Sequence, residues 1–106
     1  TTGNENVSIG YYANRLGTTG NYNTALGSRS NHNNVSGSNN TSIGDHAGYY
    51  LTGSNNTIIG CFGGEAGISD TVIISAGATE RLRIDSTGAA TFSGNVLVGY
   101  YRRYDI

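Results

Sequence analysis

GSNNTSIG at residues 37–44 returns almost unchanged as GSNNTIIG at 53–60. GNYNTALG stands at 20–27 and GNENVSIG at 3–10. The four words share the pattern G-[NS]-x-N-[VT]-[SAI]-[IL]-G. Their opening glycines, Gly3, Gly20, Gly37 and Gly53, are 17, 17 and 16 residues apart. A near-constant period of this length marks a stack of repeats, in which neighbours bury what one unit cannot bury alone.

Within a word, side chains of an extended strand alternate between two faces. Places five and seven, a β-branched residue and a large aliphatic, therefore share a face, and a small residue occupies the other. The aliphatics Ile9, Leu26, Ile43 and Ile59 are expected to form the repeat core. Asn6, Asn23, Asn40 and Asn56, in the fourth place, are expected to serve turns and to form a side-chain ladder when stacked in register. Two glycines per word, each costing about 1 kcal/mol in a helix relative to Ala, argue against helix. The face of Ser and Ala would allow close approach of another chain. SNHNNVSG at 30–37 reads either as a fifth coil with shifted register, the favoured expectation, or as a loop resembling the repeat. The spacers YYANRLGTTG and DHAGYYLTG each hold a Tyr pair, a Leu and a closing Thr-Gly. Each is expected to carry a second short strand.

Composition supports stacking over a conventional core. Val, Ile, Leu and Phe make up 21 of 106 residues, near the level below which chains do not fold alone. Net charge is −1, so the strong self-repulsion of disordered chains is missing. Gly numbers 17 and Pro is absent. The single cysteine, Cys61, excludes an intrachain disulfide and reads as a small apolar residue. No apolar run approaches the ~20 residues of a membrane helix, so no membrane insertion is expected. The basic residues are not clustered, which argues against nucleic acid as a partner. The chain begins with Thr and contains no Met, which reads as a processed product or a piece of a longer chain.

Near residue 69 the word stops. Strands are expected near 71–75, 80–85, 89–92 and 95–98, with turns at 76–78, 86–88 and 93–95. In RLRID, Leu82 and Ile84 share one face, and Arg81, Arg83 and Asp85 the other. The organisation expected is a repeat β-roll over 1–68, a short-stranded, prism-like β segment over 69–99 and a tail, YYRRYDI, over 100–106.

The S-N-N-T-x-I-G runs, with spacers such as IGYYANRLGTTGNYNTALG, resemble the repeats of bacteriophage tail-fibre proteins. TERLRIDSTGAATFSGNVLVG resembles the stretch that lies before the C-terminal intramolecular chaperone of such fibres. The N-[VT]-[SA]-[IL]-G core is also similar to the head repeats of trimeric autotransporter adhesins. The resemblance implies an all-β fold, a β-roll or β-solenoid, trimeric and intertwined. It further implies a structural fibre segment on a virion, a rigid spacer that contacts a host surface. The alternative is a segment of a trimeric adhesin on a bacterial cell surface. The partners implied are further copies of the chain, in a homotrimer, and a host cell-surface glycan or protein.

No catalytic constellation, cofactor motif or metal set stands out, and no enzyme activity is expected. Asp45 and His46 could meet symmetry copies on an axis to hold a metal, with His32 a further candidate; surface histidines are the simpler reading. GGEAGISD at 63–70 resembles a calcium repeat but occurs once, and such sites need stacked copies. The tyrosine pairs carry the candidate recognition residues Tyr11, Tyr12, Tyr49 and Tyr50, although covering coil ends or packing between chains is the favoured reading of them. Adjacent residues of a strand point to opposite faces, so one ring of each pair should be exposed, offering an apolar surface with a hydroxyl. An ice-binding solenoid would need exposed Thr rows. Thr24, Thr41 and Thr57 share a face with the large aliphatics and are therefore expected to be buried.

Overall fold

The computed structural model describes residues 3–97. Each word forms a three-residue strand: β1 (Val7–Ile9), β2 (Thr24–Leu26), β3 (Thr41–Ile43) and β4 (Thr57–Ile59). They pair in parallel, each residue facing its counterpart in the next word. The chain between them returns through turns, which makes a β-solenoid of about four coils. The spacers contain no strand, in contrast to expectation. Their backbone bonds instead run to the neighbouring coil, as from Asn14 N–H to Ser30 O and from Asn31 N–H to Ala47 O, both 2.8 Å.

Residues 30–37 are such a spacer and not a fifth coil. Asn34 holds the bend there: its amide accepts from Gly37 N–H at 2.9 Å and donates to Gly37 O at 2.8 Å. The fifth rung comes later, from ISDTVIIS at 68–75. Its strand β5 (Val72–Ala76) stacks in parallel on β4, with Thr57 facing Val72, Ile58 facing Ile73 and Ile59 facing Ile74. The compositional change near residue 69 thus leaves the sheet unbroken. The direction reverses only after residue 76, where β6 (Thr79–Ile84) and β7 (Ala90–Phe92) add antiparallel strands. Residues 95–97 form no strand. The rest of that expected strand and the tail at 100–106 lie outside the described residues.

The inside of the coil corrects the expected faces. The small sixth place points inward: Ala25, Ser42, Ile58 and Ile73 are fully buried. Ile9, Leu26 and Ile59 are exposed and Ile43 is half-buried, so the four aliphatics are not the core of the single chain. The reason is alternation: with the fourth and sixth places turned inward, the fifth and seventh must face out, and polar side chains fill most of the interior of the early coils. Apolar packing is confined to the later coils, where Ala47, Leu51, Ile58 and Ile73 cluster with Phe62 and Ile68 beside them.

The asparagines of the fourth place line that interior. The Asn6 carbonyl oxygen accepts Asn23 N–H at 2.8 Å, Asn23 accepts Asn40 N–H at 2.9 Å, and Asn40 accepts Asn56 N–H at 3.0 Å. Asn56 accepts Thr71 N–H at 3.1 Å, and the ladder ends on that threonine. Each amide nitrogen donates to a carbonyl of the next coil, at 2.8 Å in all four cases: Gly20, Gly37, Gly53 and Ile68. A second ladder runs the other way from the second place. Asn4, Asn21, Ser38 and Ser54 donate backbone N–H to the side-chain oxygens of Asn21, Ser38, Ser54 and Ser69, at 2.7 to 3.0 Å.

The closing glycines stack directly. Gly44 has φ +128°, and a Cβ placed on it would lie 2.6 Å from Gly60 O. Only glycine reaches that φ without strain, and only glycine leaves space for the next coil. At the far end of the stack, Arg83 lies opposite Ile73 across the β5–β6 pair. Its guanidinium is held by Glu80 and, at 2.7 Å, by Glu65, which raises its pKa further. Asp85 closes the β6–β7 turn. Its carboxylate accepts from the Thr87 hydroxyl and the N–H groups of Thr87 and Ala89, and these bonds hold its pKa below the usual value.

Two outcomes follow. Asn40→Ala should cost about 2–4 kcal/mol, because it orphans Gly53 O and the Asn56 N–H of the next coil, whereas Asn6→Ala, at a half-buried position, should cost less; thermal unfolding of both variants tests the order. The Asp85 contribution to its turn is complete above the ordinary carboxylate pKa of 3.8 and is lost as pH falls through its lower folded value. Exchange of the Ala89 amide should therefore accelerate selectively in acid, and Asp85→Asn should blunt that response.

Candidate recognition surface

The spacers that follow β1, β2 and β3 form one side of the solenoid: residues 11–16, 28–33 and 45–50. Rung bonds fix their register. Arg29 N–H donates to Tyr11 O at 2.7 Å, His46 N–H to Ser28 O at 2.8 Å, Leu16 N–H to His32 O at 3.1 Å, and Asn33 N–H to Tyr49 O at 3.2 Å. Tyr12, Arg29 and His46 consequently stand in one column along the axis. Arg15, His32 and Tyr49 stand in the next.

The side chains of the two columns interlock. His32, buried, stacks on Tyr49 with ring centres 4.8 Å apart and lies edge-on to Tyr12 at 6.3 Å. His46 leans on Tyr49 at 5.5 Å. Arg15 lies over the Tyr12 ring at 4.5 Å, and Arg29 sits 5.7 Å from the Tyr11 ring. A guanidinium only donates, so His46 Nε2 accepts from Arg29 at 3.4 Å while Nδ1–H donates to Asp45 at 2.8 Å. Hydrogen bonding with Tyr11, then the charges of Arg15 and Arg29, lower the Tyr12 hydroxyl pKa.

All four candidate tyrosines belong to this side. Tyr11, Tyr12 and Tyr50 are exposed, while Tyr49 is half-buried under His32 and Tyr50. The tyrosine pairs do not alternate across a strand; they lie in turns, with both members of the first pair facing out. Sequence reading missed Arg15, Arg29 and His32 as members of this surface. The available signal was the 17-residue offset: it aligns Arg29 with Tyr12, and His32 and Tyr49 with Arg15.

His32 and His46 do not meet one another's ligands within the described part of one chain. His32 bonds Asn33 and stacks on Tyr49, and among the described residues no three His, Cys, Asp or Glu side chains converge. Cys61 is exposed. In GGEAGISD, Glu65 is taken by Arg83 and Asp70 by Asn55. No protein family, curated protein or solved structure matches this chain.

The lowered Tyr12 pKa has a testable order of causes. Tyr11→Phe should raise it most and Arg15→Ala next, as read by NMR titration of the ring carbon bearing the hydroxyl. Equal, null shifts in both variants would contradict the packing described.

Proposed function

We propose that this chain is a segment of a phage tail fibre or a similar virion appendage, assembled as a homotrimer. It acts as a rigid spacer that also touches the host surface, without catalysis. The observation that carries the reading is the outer face of the sheet. Ile9, Leu26, Ile43, Ile59 and Ile74 form one column, in which all but Ile43 are 40% exposed or more, beside a column of Thr24, Thr41 and Thr57 flanked by Val7 and Val72. Leu82 and Phe92 extend that row into the hairpin. So long an apolar stripe on so thin a solenoid suits burial against further copies of itself. Burying each of these half-exposed side chains would contribute about 1 kcal/mol per chain. Stiffness comes from the rung bonds and the two side-chain ladders. Threefold repetition of a weak surface contact supplies avidity.

The mass in solution tests this first. Light scattering during size exclusion should give three times 11.1 kDa. Ile9→Glu with Ile59→Glu should dissociate the assembly while leaving the β-type circular dichroism intact. A monomeric wild type would overturn the reading.

The same face favours a second reading. Thr24, Thr41 and Thr57, against expectation, lie in register on this outer side, a regular hydroxyl row of the kind an ice-binding solenoid needs. Thermal hysteresis in the monomer would favour that role, and its absence would end it.

A further inference from the structure

The side bearing Tyr12, Arg29 and His46 is distinct from the apolar face, and its chemistry is more specific than surface contact requires. Two guanidiniums, Arg15 and Arg29, lie against tyrosine rings and have no carboxylate partner among the described residues. Asp45 is the one carboxylate in the three segments; it accepts from a neutral His46, so against the two guanidiniums it leaves a net positive charge of one. The side therefore keeps unneutralised positive charge beside ring faces. The Tyr12 hydroxyl responds to that charge.

The backbone beneath adds an independent argument. Tyr12, Arg29 and His46 all have positive φ, at 58°, 53° and 57°. Bulky residues rarely take this conformation, and glycine or asparagine would relieve it. Three successive coils nonetheless place a ring or a guanidinium there. The coil takes positive φ at another corner too, at Glu5, Tyr22, Asn39, Asn55 and Asp70, so the bend belongs to the fold and only the choice of bulky side chains at this corner bears on the surface.

We propose that this aromatic and guanidinium side binds an acidic glycan, one whose pyranose residues carry carboxylates, along the solenoid axis. The assignment rests on the reading of the chain as a host-contacting segment and names the ligand class for it. Exposed tyrosine rings pack on the C–H faces of sugars, which a flat apolar surface with a hydroxyl suits. Arg15 and Arg29 pair with the carboxylates through forked N–H donors. With coils about 4.8 Å apart, Arg15 and Arg29 stand on successive coils and the tyrosine pairs two coils apart, a span of about two sugar residues in an extended glycan. The charge, and not the rings alone, selects the acidic class over neutral sugars.

The test is an NMR titration of the chain with an oligogalacturonide and with 3′-sialyllactose, against maltohexaose as the neutral control. At least one acidic probe should shift residues within 11–16, 28–33 and 45–50 at millimolar concentration, and maltohexaose should bind more weakly. Arg29→Gly removes the charge and also relieves the positive φ, so it keeps the fold. Together with Arg15→Gln it should weaken acidic binding by at least about tenfold and leave the neutral response unchanged. No shift with either acidic probe, equal binding of the neutral probe, or unaltered binding by the double variant would each overturn the proposal. The readout is per residue and independent of mass. A trimer without sugar binding would fail this proposal alone, and a sugar-binding monomer would fail the fibre reading alone.

Discussion

The asparagine amide bridging one coil to the next is the interaction on which this fold depends. In most small domains, burial of apolar side chains drives folding and polar groups are tolerated inside when paired. Here the order is inverted over much of the chain. Asn23, Asn31, Asn34, Asn40 and Asn56 are buried, with few apolar neighbours in the early coils. Each fourth-place amide accepts from one backbone group and donates to another, so it acts as an extra peptide unit set between rungs. It also satisfies backbone groups at corners where a strand ladder cannot reach. The requirement for donor and acceptor on one short side chain explains why this place admits Asn and, at the end of the stack, Thr71.

Two constraints follow. Coils one peptide apart leave no space for a Cβ at the closing corner, so Gly10, Gly27, Gly44 and Gly60 are stacked on one another. Ser75 takes the corner after Gly60 and its hydroxyl accepts Phe62 N–H at 3.2 Å. There the chain leaves the solenoid and turns back as a hairpin. With the fourth-place asparagine turned inward, strand alternation sends the fifth and seventh places outward, so the exposed aliphatic column originates in the same ladder that stabilises the coil.

The period and the G-x-x-N spacing made the four strands and their parallel stacking legible, because glycine corners and asparagine rungs are local necessities. Facing was not legible by the same route. Ile9, Leu26, Ile43 and Ile59 looked like the core only on the premise that the largest apolar side chain goes inside. The small residues Ala25 and Ser42 carried the better signal, since smallness marks the crowded side. ISDTVIIS escaped notice because Ile68, Thr71 and Ser75 replace the two glycines and the asparagine by which a word is recognised. Its second-place serine and its β-branched strand still matched the pattern. The aromatic and guanidinium side was half legible. The tyrosines stood out as pairs, whereas Arg15, Arg29 and His32 join them only through a register that no single spacer displays.

The uneven interior has a kinetic meaning. Leu51, Ile58 and Ile73 gather in the later coils, while the first coils hold amides and hydroxyls. In a stack where each unit contacts only its neighbours, folding nucleates where the local gain is greatest and then propagates. Nucleation therefore belongs to the region around β4 and β5, with the hairpin beside it. Growth then proceeds toward the N-terminus, each new coil laying its asparagine onto a rung already in place. Among the coils described, each therefore closes onto one synthesised after it, so the order of folding runs against the order of synthesis.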